Sequence, residues 1–320
     1  MRPSIIVGIG EVLWDIFPDG PRFGGAPSNF ACSTAELAQD AAQVFVVSAV
    51  GNDELGRRAI QSLAGHRVGV DNVQTHVKET GKVLVNLDAT GIATYRFADD
   101  AAWDHLAWSD GLQKRAEGCD AVCFGTLGQR SGCAAETIQR FIRATPQHAL
   151  RILDVNLRDP HVNDAVILDS LRLANTLKLN DDELPRLARL AGASGSDQDV
   201  MRSLAAQYDL QTVALTRGGR GAVIVSGNAV SELPAVPVDV ADTVGAGDAF
   251  TAAMTLGLLA GHPVDCINRA AIAAASHVCS ISGATTAFPE RILAAVLKAL
   301  APEAIHTGVL LAEESRGTQW

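Results

Sequence analysis

The stretch Asp239–Gly261 combines residue types that suit phosphate chemistry. Gly245, Ala246 and Gly247 leave the backbone open to close approach, and an apolar helix is predicted from about Ala249. N–H groups in the first turn of a helix have no intrahelical partner, and the helix dipole adds partial positive charge there. The loop therefore predicts an anion site.

Asp248 places a carboxylate at the edge of this predicted anion site. A carboxylate repels bound phosphate, so the acid makes sense if phosphate is transferred to a group whose proton Asp248 removes. The alternative is that Asp248 only caps the helix, because Asp is favoured in first turns. Taken alone, the residue types leave both interpretations open.

The sequence lacks two common nucleotide-binding motifs. No G-x-x-x-x-G-K-[ST] occurs, which argues against a P-loop protein. No G-x-G-x-x-G occurs either, because Gly10 is followed by Glu11-Val12-Leu13 and Gly247 by Asp248-Ala249-Phe250. A dinucleotide-binding dehydrogenase is therefore disfavoured.

Composition narrows the class of protein further. With 320 residues, 48% hydrophobic and 19% charged, the chain fits one large globular domain. A net charge of -10 argues against nucleic acid or an anionic membrane as partner. The six cysteines form no CxxC pair, and no apolar run reaches membrane-spanning length. We expect a cytoplasmic protein with free thiols.

The order of apolar runs predicts the fold. Solid apolar runs, typical of buried strands, alternate with segments of helical periodicity through the middle of the chain. This alternation predicts a three-layer α/β/α domain with a mostly parallel central sheet, spanning 1–310. Ligands of such sheets bind beyond the carboxyl ends of the strands. The polar segment 311–320 is predicted to be a flexible tail.

A different pattern covers Val73 to Ala98, where apolar and polar residues alternate. Alternation predicts half-exposed strands, and we interpret them as a small sheet standing off the main body. This sheet is a candidate lid formed by roughly 11–25 and 73–104. An ordinary edge hairpin of the main sheet is the alternative.

Two motifs together resemble one enzyme family. Asp242-Thr243-Val244-Gly245-Ala246-Gly247-Asp248-Ala249-Phe250 resembles the second signature of the ribokinase-like (PfkB) carbohydrate kinases. Gly24-Gly25-Ala26-Pro27-Ser28-Asn29-Phe30-Ala31 resembles the first signature, in its fructokinase-like form. The signatures occur in the family's order, and the resemblance covers roughly residues 4 to 300.

The resemblance implies a role for each part of the central loop. Asp248 would be the catalytic base that takes the proton from the sugar hydroxyl. The backbone of Gly245, Ala246 and Gly247 would form the anion hole for the moving phosphoryl group.

The resemblance also implies sites for ATP and Mg²⁺. Glu183 would act on Mg²⁺ through water, with Asn180 near the phosphates and Arg158 neutralising the transferring phosphate. From the residues alone, Glu183 could be one of three acids at a helix N-terminus, and Arg158 could form a surface salt bridge. The nucleotide turn matches Thr216, Gly218, Gly219 and Gly221, although three glycines after a strand also suit a plain hairpin.

For the sugar, the resemblance implies Asp15, Gly24, Gly25 and Asn29, with Arg96 on the lid. A carboxylate and an amide can pair with neighbouring hydroxyls. As alternatives, Asp15 suits a turn, the glycines a loop, Asn29 a helix cap and Arg96 a solvated surface.

Many members of the family bind a monovalent cation at the positions of Asp242 and Val244, and in a later loop that matches Ile281-Ser282-Gly283. Ala287 stands where some relatives have a serine ligand, which puts dependence on K⁺ in doubt.

The implied function is an ATP-dependent kinase for a terminal hydroxymethyl group, with D-fructose as the first choice of acceptor. Ribose, a nucleoside and 2-keto-3-deoxygluconate are the alternative acceptors. A sugar- or nucleotide-binding regulator without turnover is the rival class. An exposed lid sheet could also serve as the edge of a homodimer.

Overall fold

The computed structural model describes residues 2–87, 93–281, 283–284 and 287–300. The strands are β1 (Ser4–Ile9), β2 (Leu13–Phe17), β3 (Gly20–Gly24), β4 (Ala42–Gly51), β5 (Gly69–His76), β6 (Gly81–Leu87), β7 (Ala93–Phe97), β8 (Ala121–Phe124), β9 (Leu150–Asp154), β10 (Thr176–Asn180), β11 (Thr212–Thr216), β12 (Ala222–Ser226) and β13 (Ala229–Leu233). The α-helices are α1 (Ala26–Ala38), α2 (Glu54–Gly65), α3 (Asp110–Gly118), α4 (Gly132–Ala144), α5 (Asp164–Leu173), α6 (Leu184–Ala191), α7 (Asp197–Tyr208), α8 (Ala246–Leu259), α9 (Val264–Cys279) and α10 (Glu290–Leu300).

A large sheet forms the centre of the described chain, in the order β13-β12-β11-β10-β9-β8-β1-β4-β5. Neighbouring strands from β11 to β5 run parallel, and β12 and β13 add an antiparallel edge. The interior strand β1 is apolar on both faces, because Ile6 packs in one helical layer and Val7 in the other. Helices α1, α8 and α9 cover the first face, and α4, α5 and α7 cover the second. The predicted three-layer architecture is confirmed.

Helix boundaries differ from the prediction at two functional loops. Apolar residues at helical spacing predict a helix over Phe30 to Leu37, but this helix begins at Ala26, with Pro27 in its first turn, where the missing N–H of proline has no intrahelical acceptor to lose. The sequence also predicts a helix over Asp181 to Ala191, but this helix begins only at Leu184, and a turn precedes it. Within the described residues, no helix is both long enough and apolar enough to cross a bilayer.

A smaller sheet stands apart from the large one, in the order β3-β2-β6-β7. The alternation predicted for β6 is present, because Val83 and Val85 are buried and Leu84 between them is exposed. The prediction that residues 73–76 belong to this small sheet is wrong. These residues end β5, which pairs with β4 at the edge of the large sheet. The predicted tail, 311–320, lies outside the described residues.

Replacing Phe141 tests the packing of the second face of the large sheet, which α4, α5 and α7 cover. The ring of Phe141 lies fully buried on α4 among side chains of the large sheet. We expect Phe141→Ala to lower the free energy of unfolding by about 3–5 kcal/mol, because it leaves a cavity that the sheet cannot close. Denaturant unfolding measures this loss. Val77→Ala, at a side chain that is 92% exposed, is the control and should change stability by less than about 0.5 kcal/mol. Equal losses in the two variants would contradict the core assignment.

Candidate functional site

The two sequence signatures meet at the starts of α1 and α8. Asn29 on α1 donates from Nδ2 to Oδ2 of Asp248 on α8 across 2.9 Å. Asn29 is buried, and Asp248 is partly exposed. The structure therefore brings together two polar side chains that are 219 positions apart in the chain.

Glycine is required immediately before each of these helices. Gly245 has φ 81°, and a Cβ there would lie 2.5 Å from the carbonyl oxygen of Ala284. Gly25 has φ 106°, and a Cβ there would lie 2.5 Å from the carbonyl oxygen of Glu11. Any other residue would both strain the backbone and push these segments apart. The glycines thus allow both helices to start beside the strand ends.

Asp248 has the electrostatics of a base poised near neutral pH. Burial raises its pKa to about 7, and the neighbouring carboxylate of Asp154 raises it further. The hydrogen bond from Asn29 and the positive charges of Lys178 and Arg158 act in the opposite direction. A carboxyl group with a pKa near the working pH can accept a proton and release it again.

Glu11 is a second buried acid at this site. Its Oε1 accepts a hydrogen bond from the N–H of Ala26 at the start of α1, 3.3 Å away. Its Oε2 is buried without a hydrogen-bond partner among the described residues. Burial raises the pKa of Glu11 to about 7. The sequence alone predicts no role for Glu11, although an acid directly after a buried strand was a usable signal.

Four of the predicted sugar-site residues lie together. Asp15 is on β2 and Gly24 on the adjacent β3, where a Cβ would lie 2.9 Å from Oδ2 of Asp15. Gly25 and Asn29 follow at the start of α1. Burial raises the pKa of Asp15 to about 6, while Arg158 and Arg22 lower it. The carboxylate thus faces the same positive charge as Asp248.

The two predicted arginines are both exposed. Arg158 lies in the loop after β9, and its Nη1 donates to the carbonyl oxygen of Leu157 at 2.9 Å. It lowers the pKa values of Glu11, Asp15 and Asp248, so its charge acts on this cluster. Arg96 is on β7, the outer strand of the small sheet, and faces solvent.

Glu183 joins two strand-end loops. Its Oε2 accepts from the N–H of Asn180 at 2.8 Å, and its Oε1 accepts from the N–H of Leu157 at 2.9 Å. Oδ1 of Asn180 accepts in return from the N–H of Glu183 at 2.9 Å. The carboxylate is buried, and burial raises its pKa. Each of its oxygens keeps a further lone pair for a water molecule.

The glycine-rich turn connects β11 to β12, which pair antiparallel. It contains Thr216, Gly218, Gly219 and Gly221, and the N–H of Arg217 donates to the carbonyl oxygen of Gly221 at 2.8 Å. Arg220 pairs with Asp181 at 2.7 Å, so the turn lies against the loop of Asn180. The turn has the geometry of a hairpin, and it lies beside the loop of Asn180, which is predicted to be near the phosphates of ATP.

At the predicted monovalent-cation position, Asp242 accepts backbone hydrogen bonds. The N–H of Val244 donates to its Oδ1 at 3.0 Å, and the N–H of Gly283 donates to its Oδ2 at 3.2 Å. Ser282 of the predicted cation loop lies outside the described residues. Among the described residues, no group of three or more His, Cys, Asp or Glu side chains is arranged to hold a metal ion.

The family described as pfkB family carbohydrate kinase matches residues 20–291 of the chain. The chain belongs to this family. A fructokinase from Klebsiella pneumoniae is 30% identical over 309 residues, which cover 88% of this chain and 95% of the relative. A fructokinase from Escherichia coli is 25% identical over 268 residues, which cover 78% of this chain and 83% of the relative.

Solved structures share the fold of this pfkB family chain. A fructokinase from Xylella fastidiosa with bound ATP has a TM-score of 0.78 at 24% identity, covering 92% of this chain and 98% of that chain. A fructokinase from Vibrio cholerae, bound to fructose, ADP and calcium, has a TM-score of 0.74 at 23% identity over 93% and 100% of the two chains. The predicted fold and family are thereby confirmed.

Replacing Glu11 with Gln tests the burial of this acid. A carboxyl pKa raised from 4.5 to about 7 stabilises the folded state below pH 4.5, and this contribution is lost as the pH rises through about 7. Glu11→Gln cannot titrate and keeps an oxygen for Ala26. Between pH 5 and pH 8, we therefore expect the free energy of unfolding to fall by about 2.5 kcal/mol more in the native chain than in the variant.

Urea unfolding at both pH values measures this difference. Glu290→Gln, at an exposed carboxylate, is the matched control and should follow the native chain. If the stability of Glu11→Gln depended on pH as the native chain does, the raised pKa of Glu11 would be contradicted.

Proposed function

We propose that this carbohydrate kinase uses ATP to phosphorylate the terminal hydroxymethyl group of a sugar, with D-fructose as the first choice of acceptor. The observation that carries the proposal is the contact between Asn29 and Asp248 at the open start of α8. It places a carboxylate with a pKa of about 7 beside backbone N–H groups that have no intrahelical partner. Phosphoryl transfer to a hydroxyl needs a base and an anion cradle, which here is the predicted anion hole of Gly245, Ala246 and Gly247.

In the proposed reaction, Asp248 accepts the proton of the sugar hydroxyl while that oxygen attacks the γ-phosphorus of ATP. The bond from the γ-phosphorus to the bridging oxygen breaks, and ADP leaves. The N–H groups of Gly245, Ala246 and Gly247 receive charge on the transferring phosphoryl group. The exposed Arg158 adds positive charge from the opposite loop.

The acceptor would bind between the small sheet and the start of α1. Asp15 and Asn29 offer a carboxylate and an amide to neighbouring hydroxyls, and Gly24 and Gly25 let the sugar ring approach the backbone. The small sheet would act as a lid that excludes water, which otherwise competes as acceptor. Arg96 would reach the sugar from this lid.

The nucleotide would lie along the neighbouring strand ends. Asn180 and the turn with Thr216, Gly218, Gly219 and Gly221 would contact ATP. Mg²⁺ takes oxygen ligands, keeps several waters and needs few protein carboxylates, which fits the single buried Glu183 acting through water. When bound with ATP, Mg²⁺ neutralises phosphate charge. A monovalent cation at Asp242 and Val244 is a further proposal, because each oxygen of Asp242 accepts one backbone hydrogen bond and keeps a further lone pair.

Fructose is proposed first because the Klebsiella pneumoniae and Escherichia coli relatives are both named fructokinase. Ribose, a nucleoside and 2-keto-3-deoxygluconate stay as alternative acceptors. A cytoplasmic location, and a homodimer formed through the small sheet, are further proposals. The exposed Leu84 on that sheet, 44% accessible, supports the dimer.

The deciding experiment measures ATP consumption with fructose, ribose, 2-keto-3-deoxygluconate and nucleosides. We expect turnover that depends on one of these acceptors, and a loss of about 10²–10⁴-fold in kcat for Asp248→Asn, because the amide cannot take the proton. The amide oxygen can still accept from Asn29, so ATP binding and thermal stability should persist. Unchanged turnover in Asp248→Asn would exclude it as the base. ATP binding without turnover on any acceptor would favour a regulator.

The pH profile provides a separate test of Asp248. The base works only as the carboxylate, and burial raises its pKa to about 7. We therefore expect kcat/KM to fall about tenfold per pH unit below about pH 7 and to level off above it. Steady-state rates between pH 5 and pH 9 measure this limb. A flat profile down to pH 5 would contradict the proposed base.

A further inference from the structure

The buried ammonium group of a lysine lies directly beside the predicted anion cradle. A Cβ built on Gly247 would lie 2.8 Å from Nζ of Lys178, so the ammonium group fills the space where a side chain would project. Lys178 is on β10, and its side chain is 7% exposed. The sequence alone predicts no role for Lys178, since one lysine in an apolar strand has no spacing signal.

Lys178 is held in place by a short polar chain. Its Nζ donates to Oδ1 of Asp154 at 3.0 Å. The other oxygen of Asp154, Oδ2, accepts from Oγ1 of Thr251 at 2.9 Å. The same hydroxyl lies 3.0 Å from the carbonyl oxygen of Gly247 as an alternative acceptor. Lysine, aspartate and threonine thus connect the sheet to the first turn of α8, next to the cradle.

The charges around Lys178 are predominantly acidic. Asp154, Glu183 and Asp248 all raise the pKa of Lys178 against the effect of burial, so the ammonium stays charged at neutral pH. Without the ammonium of Lys178, a γ-phosphate that enters the site would be repelled by these carboxylates, with Arg158 as the opposing positive charge. Arg158 is exposed and screened by salt, whereas Lys178 is buried and fixed.

We propose that Lys178 is a positioning residue of the kinase site, whose buried ammonium supports the Gly247 peptide and gives the anion cradle its fixed positive charge. This inference rests on the proposed phosphoryl transfer. It predicts that the charge of Lys178 acts on the γ-phosphate through the cradle and does more than form a structural ion pair with Asp154.

The test removes the ion pair and the charge separately. Asp154→Asn keeps the lysine but neutralises its partner, and its one amide oxygen can accept from either Lys178 or Thr251. The double variant Asp154→Asn/Lys178→Met removes the ammonium as well and leaves no buried carboxylate at position 154. Comparison of these two variants isolates the charge of Lys178, in proteins that both lack the native pair.

Two readouts are needed. The first is the ratio of ATP to ADP affinity by calorimetry without sugar, which reports the γ-phosphate and needs no turnover. We expect the double variant to lose the preference for ATP by about tenfold relative to Asp154→Asn, with ADP affinity unchanged. The second is kcat, which should fall about 10²-fold between the same two variants, the size of effect seen for one oxyanion donor.

The ion pair of Arg130 with Asp104 is the matched control. Its side chains are 9% and 6% exposed, so it is buried like the Lys178 pair, and it lies before α4. Arg130→Met/Asp104→Asn should change thermal stability without changing the ATP-to-ADP ratio. An equal change in that ratio in both double variants would indicate general destabilisation and overturn the inference.

The outcomes separate this inference from the proposed function. Turnover with the same ATP preference and the same kcat in Asp154→Asn and in the double variant would overturn the role of Lys178 and leave the kinase proposal standing. Loss of the ATP preference in the double variant, in a protein that phosphorylates no acceptor, would support Lys178 and refute the kinase proposal. Thermal unfolding confirms that both variants are folded.

Discussion

The hydrogen bond between Asn29 and Asp248 is the contact on which the site depends. It can form only where α1 and α8 start side by side, and each start needs a glycine with positive φ. The bond orients the carboxylate of Asp248 without neutralising it. The first turn of α8 then presents both N–H groups without an intrahelical partner and an acid to the same space.

The charges of the site balance each other over short distances. Glu11, Asp15 and Asp248 lie where burial raises all three carboxyl pKa values toward neutrality. Such a cluster would repel a phosphate if every acid were ionised and no cation stood nearby. Lys178 and Arg158 supply that opposing charge from two adjacent strand ends. With Asp248 ionised, these two cations would keep the cleft compatible with the phosphates of ATP.

The two sheets of the protein differ in what they support. The large, mostly parallel sheet carries the loops of Glu183 and Arg158 at the carboxyl ends of β10 and β9, where α/β sheets bind ligands. The small sheet carries Asp15 and Gly24. A sugar bound between them would contact both sheets, so that movement of the small sheet would change access to Asp248 without disturbing the rigid core.

The sequence alone was sufficient to predict the layered fold and the family, because solid apolar runs and short glycine motifs are local patterns. Local patterns could not place 73–76, since alternation looks the same at the edge of a large sheet and in a small one. They also could not reveal Lys178 or the burial of Glu11, because burial and the distance from Lys178 to Gly247 exist only after the helices and strands pack. The tertiary structure decides which carboxyl groups have a pKa raised toward neutrality and which positively charged side chains lie beside them. The reason is that desolvation and Coulomb attraction depend on three-dimensional distance.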